Sequence, residues 1–172
     1  MNKPALLALF AVLAIAGCKK EADQASVAPQ ALTADAVGYY CGMNLVEHVG
    51  PKGQILLASR KEPVWFSSAR DALSFSMLPE EPKDIRAIYV SDMAKATSWE
   101  DPGAANWVEA RKAFFVIGSD LKGGMGAPET IPFSDRAAAE RFAGEHGGRV
   151  VAFSEVPRDY VLTAAEPSLH RH

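Results

Sequence analysis

The feature that most constrains the fold is an internal repeat. Val64-Trp65-Phe66-Ser67-Ser68-Ala69-Arg70-Asp71-Ala72-Leu73-Ser74-Phe75 aligns with Ile131-Pro132-Phe133-Ser134-Asp135-Arg136-Ala137-Ala138-Ala139-Glu140-Arg141-Phe142. Each copy runs from an apolar stretch ending in Phe-Ser, through an Ala-rich polar segment, to a Phe. Strand candidates rich in β-branched and aromatic residues flank both copies: Gln54–Ser59 and Ile85–Asp92 around the first, Lys112–Gly118 and Arg149–Glu155 around the second. The Ala-rich segments read as helices starting at Ser caps. Ala69, Ala72, Leu73 and Ser76 recur at helical spacing, as do Ala138, Arg141, Phe142 and Glu145. His146-Gly147-Gly148 is a glycine stop for the second helix. One β-β-α-β unit cannot bury both faces of its sheet, whereas two packed together can. The expectation is an α+β fold of two similar β-β-α-β units, about 50–95 and 110–157, within a domain spanning 38–165. Trp99, Pro102, Gly103 and Trp107 lie in the connection and are expected to pin it by packing.

The ends of the chain read differently. Lys3 precedes an apolar run from Ala5 to Ala16, too short for a membrane-spanning helix and right for a signal peptide. Ile15-Ala16-Gly17-Cys18 resembles the bacterial lipobox. That resemblance implies cleavage before Cys18 and acylation of Cys18, so residues 1–17 are removed and the lipid holds the chain to a membrane. Residues 18–37, nearly all small and polar up to Val37, read as a disordered tether, and residues 166–172 as a frayed tail. The folded part is then expected on the periplasmic side of the inner or outer membrane, in an oxidising compartment. The chain has two cysteines. With Cys18 lipidated, Cys41 has no partner within the chain. The formal charge of −3 is small and of the wrong sign for a nucleic-acid partner.

A lone thiol in an oxidising compartment is buried or used. Cys41-Gly42-Met43 places two soft sulfurs two residues apart, with Gly42 permitting a tight turn between them. Soft sulfur donors select Cu(I) over hard cations, and methionine is not a usual zinc ligand. The imidazole of His48 would complete a three-coordinate site. Met125 stands between glycines in Gly123-Gly124-Met125-Gly126, which leaves its thioether on an open loop as a further soft ligand. Met77 and Met93 read as core residues, and His146 as a helix-end residue interacting with the last carbonyls. His170 and His172 fall in the tail.

The lipobox, Cys41-Gly42-Met43 and Met125-Gly126-Ala127-Pro128-Glu129, followed by Pro132-Phe133, together resemble the NosL family over roughly 38–160. The resemblance implies two β-β-α-β units similar to the core of the organomercurial lyase MerB. It implies Cu(I) as cargo and no catalysis. It also implies copper delivery to nitrous oxide reductase in concert with a NosDFY-type transporter complex. Cys41 and Met43 match the family's Cys-x-Met, and Met125 matches the downstream methionine; the resemblance does not fix His48. A homodimer bridged by copper between two Cys41 thiolates is compatible with the sequence. Two other readings compete: an enzyme with Cys41 as nucleophile and His48 as base, and a metal-free structural lipoprotein of the envelope.

Overall fold

A computed structural model of the chain describes residues 27–163. Cys18, the signal segment, His170 and His172 lie outside them. The described elements are β1 (Gly53–Leu57), β2 (Val64–Phe66), α1 (Ala69–Met77), β3 (Ile85–Ser91), β4 (Trp107–Glu109), β5 (Phe114–Lys122), β6 (Pro128–Phe133), α2 (Arg136–His146), β7 (Arg149–Ala152) and α3 (Arg158–Leu162). They form two antiparallel sheets ordered β2-β1-β3-β4 and β6-β5-β7. Both units therefore have the same topology: the first strand is central, flanked by the second strand and by the strand after the helix. Ile55 pairs with Val64 and Ile88 in one sheet, and Val116 pairs with Ile131 and Val150 in the other. These are the two β-β-α-β units of the repeat. Trp107 lies on an added edge strand rather than in an irregular connection.

The central core forms between the units. Ile55, Leu57, Phe66, Leu73, Phe75, Ile88 and Val90 from the first meet Phe115, Ile117 and Val151 from the second. Alternation then sends Val116, Ile131 and Phe133 to the opposite face, under α2. Met77 and Met93 pack against these two clusters. The third helix, α3, which the repeat does not foretell, adds Val161 to the central core, and the turn leading into it adds Val156. Buried Arg70 of α1 holds its end, donating from Nε to Val161 O at 3.0 Å and from Nη2 to Thr163 O.

Three expectations are corrected. The segment assigned to the tether is bound to the domain from Val27 onward. Gln54, fully buried on β1, accepts from Gln30 N at 2.9 Å and donates to Gln30 O at 2.8 Å, while Tyr89 OH donates to Val27 O at 3.0 Å. The physical reason is that Leu56, Ala87 and Tyr89 face away from the central core and need a cover. Second, Ser68 caps α1 as expected, but α2 is capped by Asp135, whose side chain accepts from Ala138 N at 2.8 Å. Ser134 is occupied otherwise, its N donating to Asp92 Oδ1 at 2.8 Å. Third, the inward stripe of α2 is Ala138, Ala139, Phe142 and Ala143, with Arg141 and Glu145 exposed. Phe142 packs on Phe133 with ring centroids 5.2 Å apart, which sets the rotation of the helix. His146 then stacks on Phe142 at 4.6 Å and meets Asp120 at 3.3 Å, rather than the last carbonyls.

Candidate metal centre

Cys41 and Met43 sit in a closed turn. Val37 and Asn44 form an isolated antiparallel bridge; Gly38 N donates to Met43 O at 2.9 Å and Gly42 N donates to Gly38 O at 2.8 Å. Gly42 has φ +66°, the left-handed conformation that costs other residues roughly 1–2 kcal/mol. The turn is anchored after Met43. Asn44 caps a short 3-10 turn, Leu45–Glu47, through Val46 N at 3.1 Å, and Leu45 is fully buried.

Tyr39 and Tyr40 anchor it on the other side. Their rings pack on Phe75 at 5.4 Å and on Phe66 at 5.6 Å respectively. Tyr39 OH donates to Glu81 Oε2 at 3.2 Å and Tyr40 OH to Glu81 Oε1 at 2.9 Å. Burial, and then Glu81, push the Tyr40 phenol well above its usual range, so it stays a donor. Sequence reasoning missed all three residues. The tyrosine pair was visible beside Cys41, but nothing local relates it to a carboxylate forty residues away.

Cys41 is a free, half-buried thiol whose Sγ lies 3.9 Å from Met43 O. Gly38 makes room for it: a Cβ at Gly38 would lie 2.5 Å from Cys41 Sγ. Met43 is 39% exposed. No hydrogen bond joins Cys41 to His48, so the pairing a cysteine nucleophile would need is not formed.

Met125 occupies the hairpin turn between β5 and β6. Gly126 N donates to Gly123 O at 2.8 Å and Gly123 N to Ala127 O at 2.9 Å, with Gly126 at φ +75°. The loop is thus a tied turn, and Met125 projects from it, 54% exposed. Gly124 lies against His48: a Cβ there would come 2.7 Å from His48 Cβ and 3.2 Å from Nδ1. Thus Nδ1 faces the Met125 turn, while Nε2 is buried without a hydrogen-bond partner among the described residues. The structure therefore brings the candidates together as two pairs: Cys41 with Met43 in one turn, and His48 with the Met125 turn. Leu45–Glu47 links them.

The surroundings are as unusual as the donors. Among the described residues, the exposed large apolar side chains are Val37, Tyr39, Tyr40, Met43, Val46, Val49 and Met125. All belong to these two turns and their flanks. Also among the described residues, no group of three or more His, Cys, Asp or Glu side chains could hold a metal ion. The donors on offer are two thioethers, a thiol and an imidazole, a set that suits a soft ion.

A protein-family model described as NosL matches residues 29–161. The chain belongs to the NosL family. It is 44% identical over 162 residues to the copper-binding lipoprotein NosL of Achromobacter cycloclastes, covering 94% of this chain and 83% of that one. It is 34% identical over 161 residues to the copper-binding lipoprotein NosL of Stutzerimonas stutzeri, covering 93% and 83%. The crystal structure of the copper chaperone NosL from Shewanella denitrificans superposes with a TM-score of 0.71 at 33% identity, over 76% of this chain and 96% of that one. The solution structure of apo-NosL from Achromobacter cycloclastes gives 0.50 at 45% identity, over 67% and 92%. These NosL proteins bear the names of a copper-binding lipoprotein and a copper chaperone, not of an enzyme.

Proposed function

We propose that this NosL-family chain is a lipoprotein that carries Cu(I) as cargo and passes it on for assembly of the metal centres of nitrous oxide reductase. Cys41 supplies a thiolate, Met43 and Met125 supply thioethers, and His48 supplies Nδ1. Cys18 carries the lipid and confines the exchange to the periplasmic face of a membrane, within reach of a NosDFY-type transporter complex. The observation that carries this reading is the contact of Gly124 with His48, which ties the Met125 turn to the segment that bears Cys41 and Met43. Copper names on relatives covering most of the chain support the cargo.

The chemistry follows from the donors. The Cys41 thiol must lose its proton to bind as a thiolate, so copper uptake releases a proton. Exposed thioethers leave the ion open to attack by an acceptor's ligand, and copper moves by exchange rather than by release into water. The apolar rim around the two turns gives that acceptor a surface to dock on. Two Cys41 thiolates bridged by copper would give the homodimer as a loading-dependent state.

The test is titration of the full chain in detergent with Cu(I) against a chromophoric chelator. Cys41→Ser should abolish tight binding, and Met43→Ala and Met125→Ala should each weaken it tenfold or more. His48→Ala separates a three-donor from a four-donor set. Cys41→Ser binding as tightly as wild type would overturn the assignment.

A further inference from the structure

We propose that Glu129 is a positioning residue for copper binding, holding the Met125 turn of the second unit against the first unit. This rests on the reading of Met125 as a ligand. Glu129 is the second residue of β6, four residues after Met125, and is only 2% exposed. A carboxylate so deeply buried is costly unless its bonds are specific.

Its bonds cross between the units. Oε1 accepts from Arg70 N at 2.9 Å and from Ser68 Oγ at 3.3 Å, both at the start of α1, and from Thr130 N at 2.8 Å. Arg70 N is one of the helix-start amides with no partner inside the helix, and the positive end of the helix dipole favours an anion there. The second unit's carboxylate therefore completes the N-terminus of the first unit's helix. Oε2 lies against the stem of the Met125 turn, since a Cβ at Gly123 would come within 2.7 Å of it.

The backbone is tied as well. Tyr160 OH donates to Glu129 O at 2.9 Å and accepts from Gly118 N at 2.9 Å. Lys52, four residues after His48 and 3% exposed, donates from its ammonium to Gly50 O at 2.6 Å; burial lowers its pKa, and the Glu129 charge opposes that shift. Glu129 thus touches the turn that carries Met125 and caps the start of α1, where Ala69 N donates to Pro51 O, three residues after His48, at 3.1 Å. Moving it shifts one ligand-bearing segment relative to the other.

The experiment is a double-mutant cycle read as Cu(I) affinity by chelator competition, on the full chain and below its melting temperature. Glu129→Ala is expected to weaken binding about tenfold in the wild-type background and less than twofold with Met125→Ala. Glu129→Gln keeps the Oε1 acceptor and should restore most of the affinity. A purely structural role would lower the melting temperature and leave affinity unchanged, and that result overturns the proposal. Equal weakening with and without Met125 also overturns it. If Met125→Ala alone binds like wild type, the ligand reading fails and takes the proposal with it. Should Glu129→Ala not fold, Gly123→Ala, which presses a methyl group onto Oε2, is expected to give the same Met125-dependent loss.

Discussion

Gly38→Ala isolates the thiol from the rest of the fold. Gly38 is buried but does not have a positive φ, so alanine fits the backbone there. Its new methyl group would lie 2.5 Å from Cys41 Sγ, against 3.4 Å from Leu45 Cδ1 and 3.7 Å from Met43 O. Only the sulfur has to move, by about 1 Å to reach ordinary contact. If the thiol stays in its well, that is a swing of roughly 30° about χ1, at a cost of about 0.5–1.5 kcal/mol. When copper requires the original position, this cost appears as a loss of affinity of roughly 2- to 13-fold. A jump to another rotamer gives a larger loss. Stability should barely change, because replacing glycine with alanine in a permitted conformation contributes about 0.4–1 kcal/mol through the unfolded chain. The assay pairs Cu(I) competition with urea denaturation. Unchanged Cu(I) affinity would refute the idea that the Gly38 niche holds the thiol where copper needs it.

Other outcomes follow from the buried groups and glycines. Burial raises Glu129 from 4.5 to about 7 and lowers Lys52 from 10.5 to about 8, each shift worth about 3 kcal/mol. From pH 4.5 to 7 the folded state holds the extra proton on Glu129, so this group makes stability fall as pH rises. From pH 8 to 10.5 the unfolded state holds the extra proton on Lys52, so stability rises again. Urea denaturation of the copper-free chain should show a minimum near pH 7–8, and a Glu129→Gln variant that kept the acid-side slope would contradict this origin. Gly148→Ala should cost about 3 kcal/mol or more. Its φ is +89°, and its Cβ would meet Ile117 O at 2.6 Å and Ser119 N at 2.9 Å, both backbone atoms that cannot yield. Calorimetry checks it, and an unchanged melting temperature would show that β7 can shift away from β5.

Local sequence determined a good deal. The period-two and helical patterns around the two Phe-Ser repeats specified both β-β-α-β units, because alternation and amphipathicity act over a few residues. Gly42 between Cys41 and Met43, and the glycines around Met125, specified turns that expose soft sulfur, because side-chain chemistry and backbone freedom are properties of single residues. Tertiary structure decided what those turns rest on. The Glu81 carboxylate under Tyr39 and Tyr40, the niche at Gly38, the contact of Gly124 with His48 and the Glu129 cap on α1 all join residues close in space and mostly far apart in sequence. The same holds for the segment from Val27, whose polar composition predicts disorder. It is ordered because Gln54 and the outer face of the first sheet offer it hydrogen bonds and apolar surface that only exist once the chain has folded. Periodicity cannot report such pairings: each is a choice among many possible distant partners, settled by the packing of the two units.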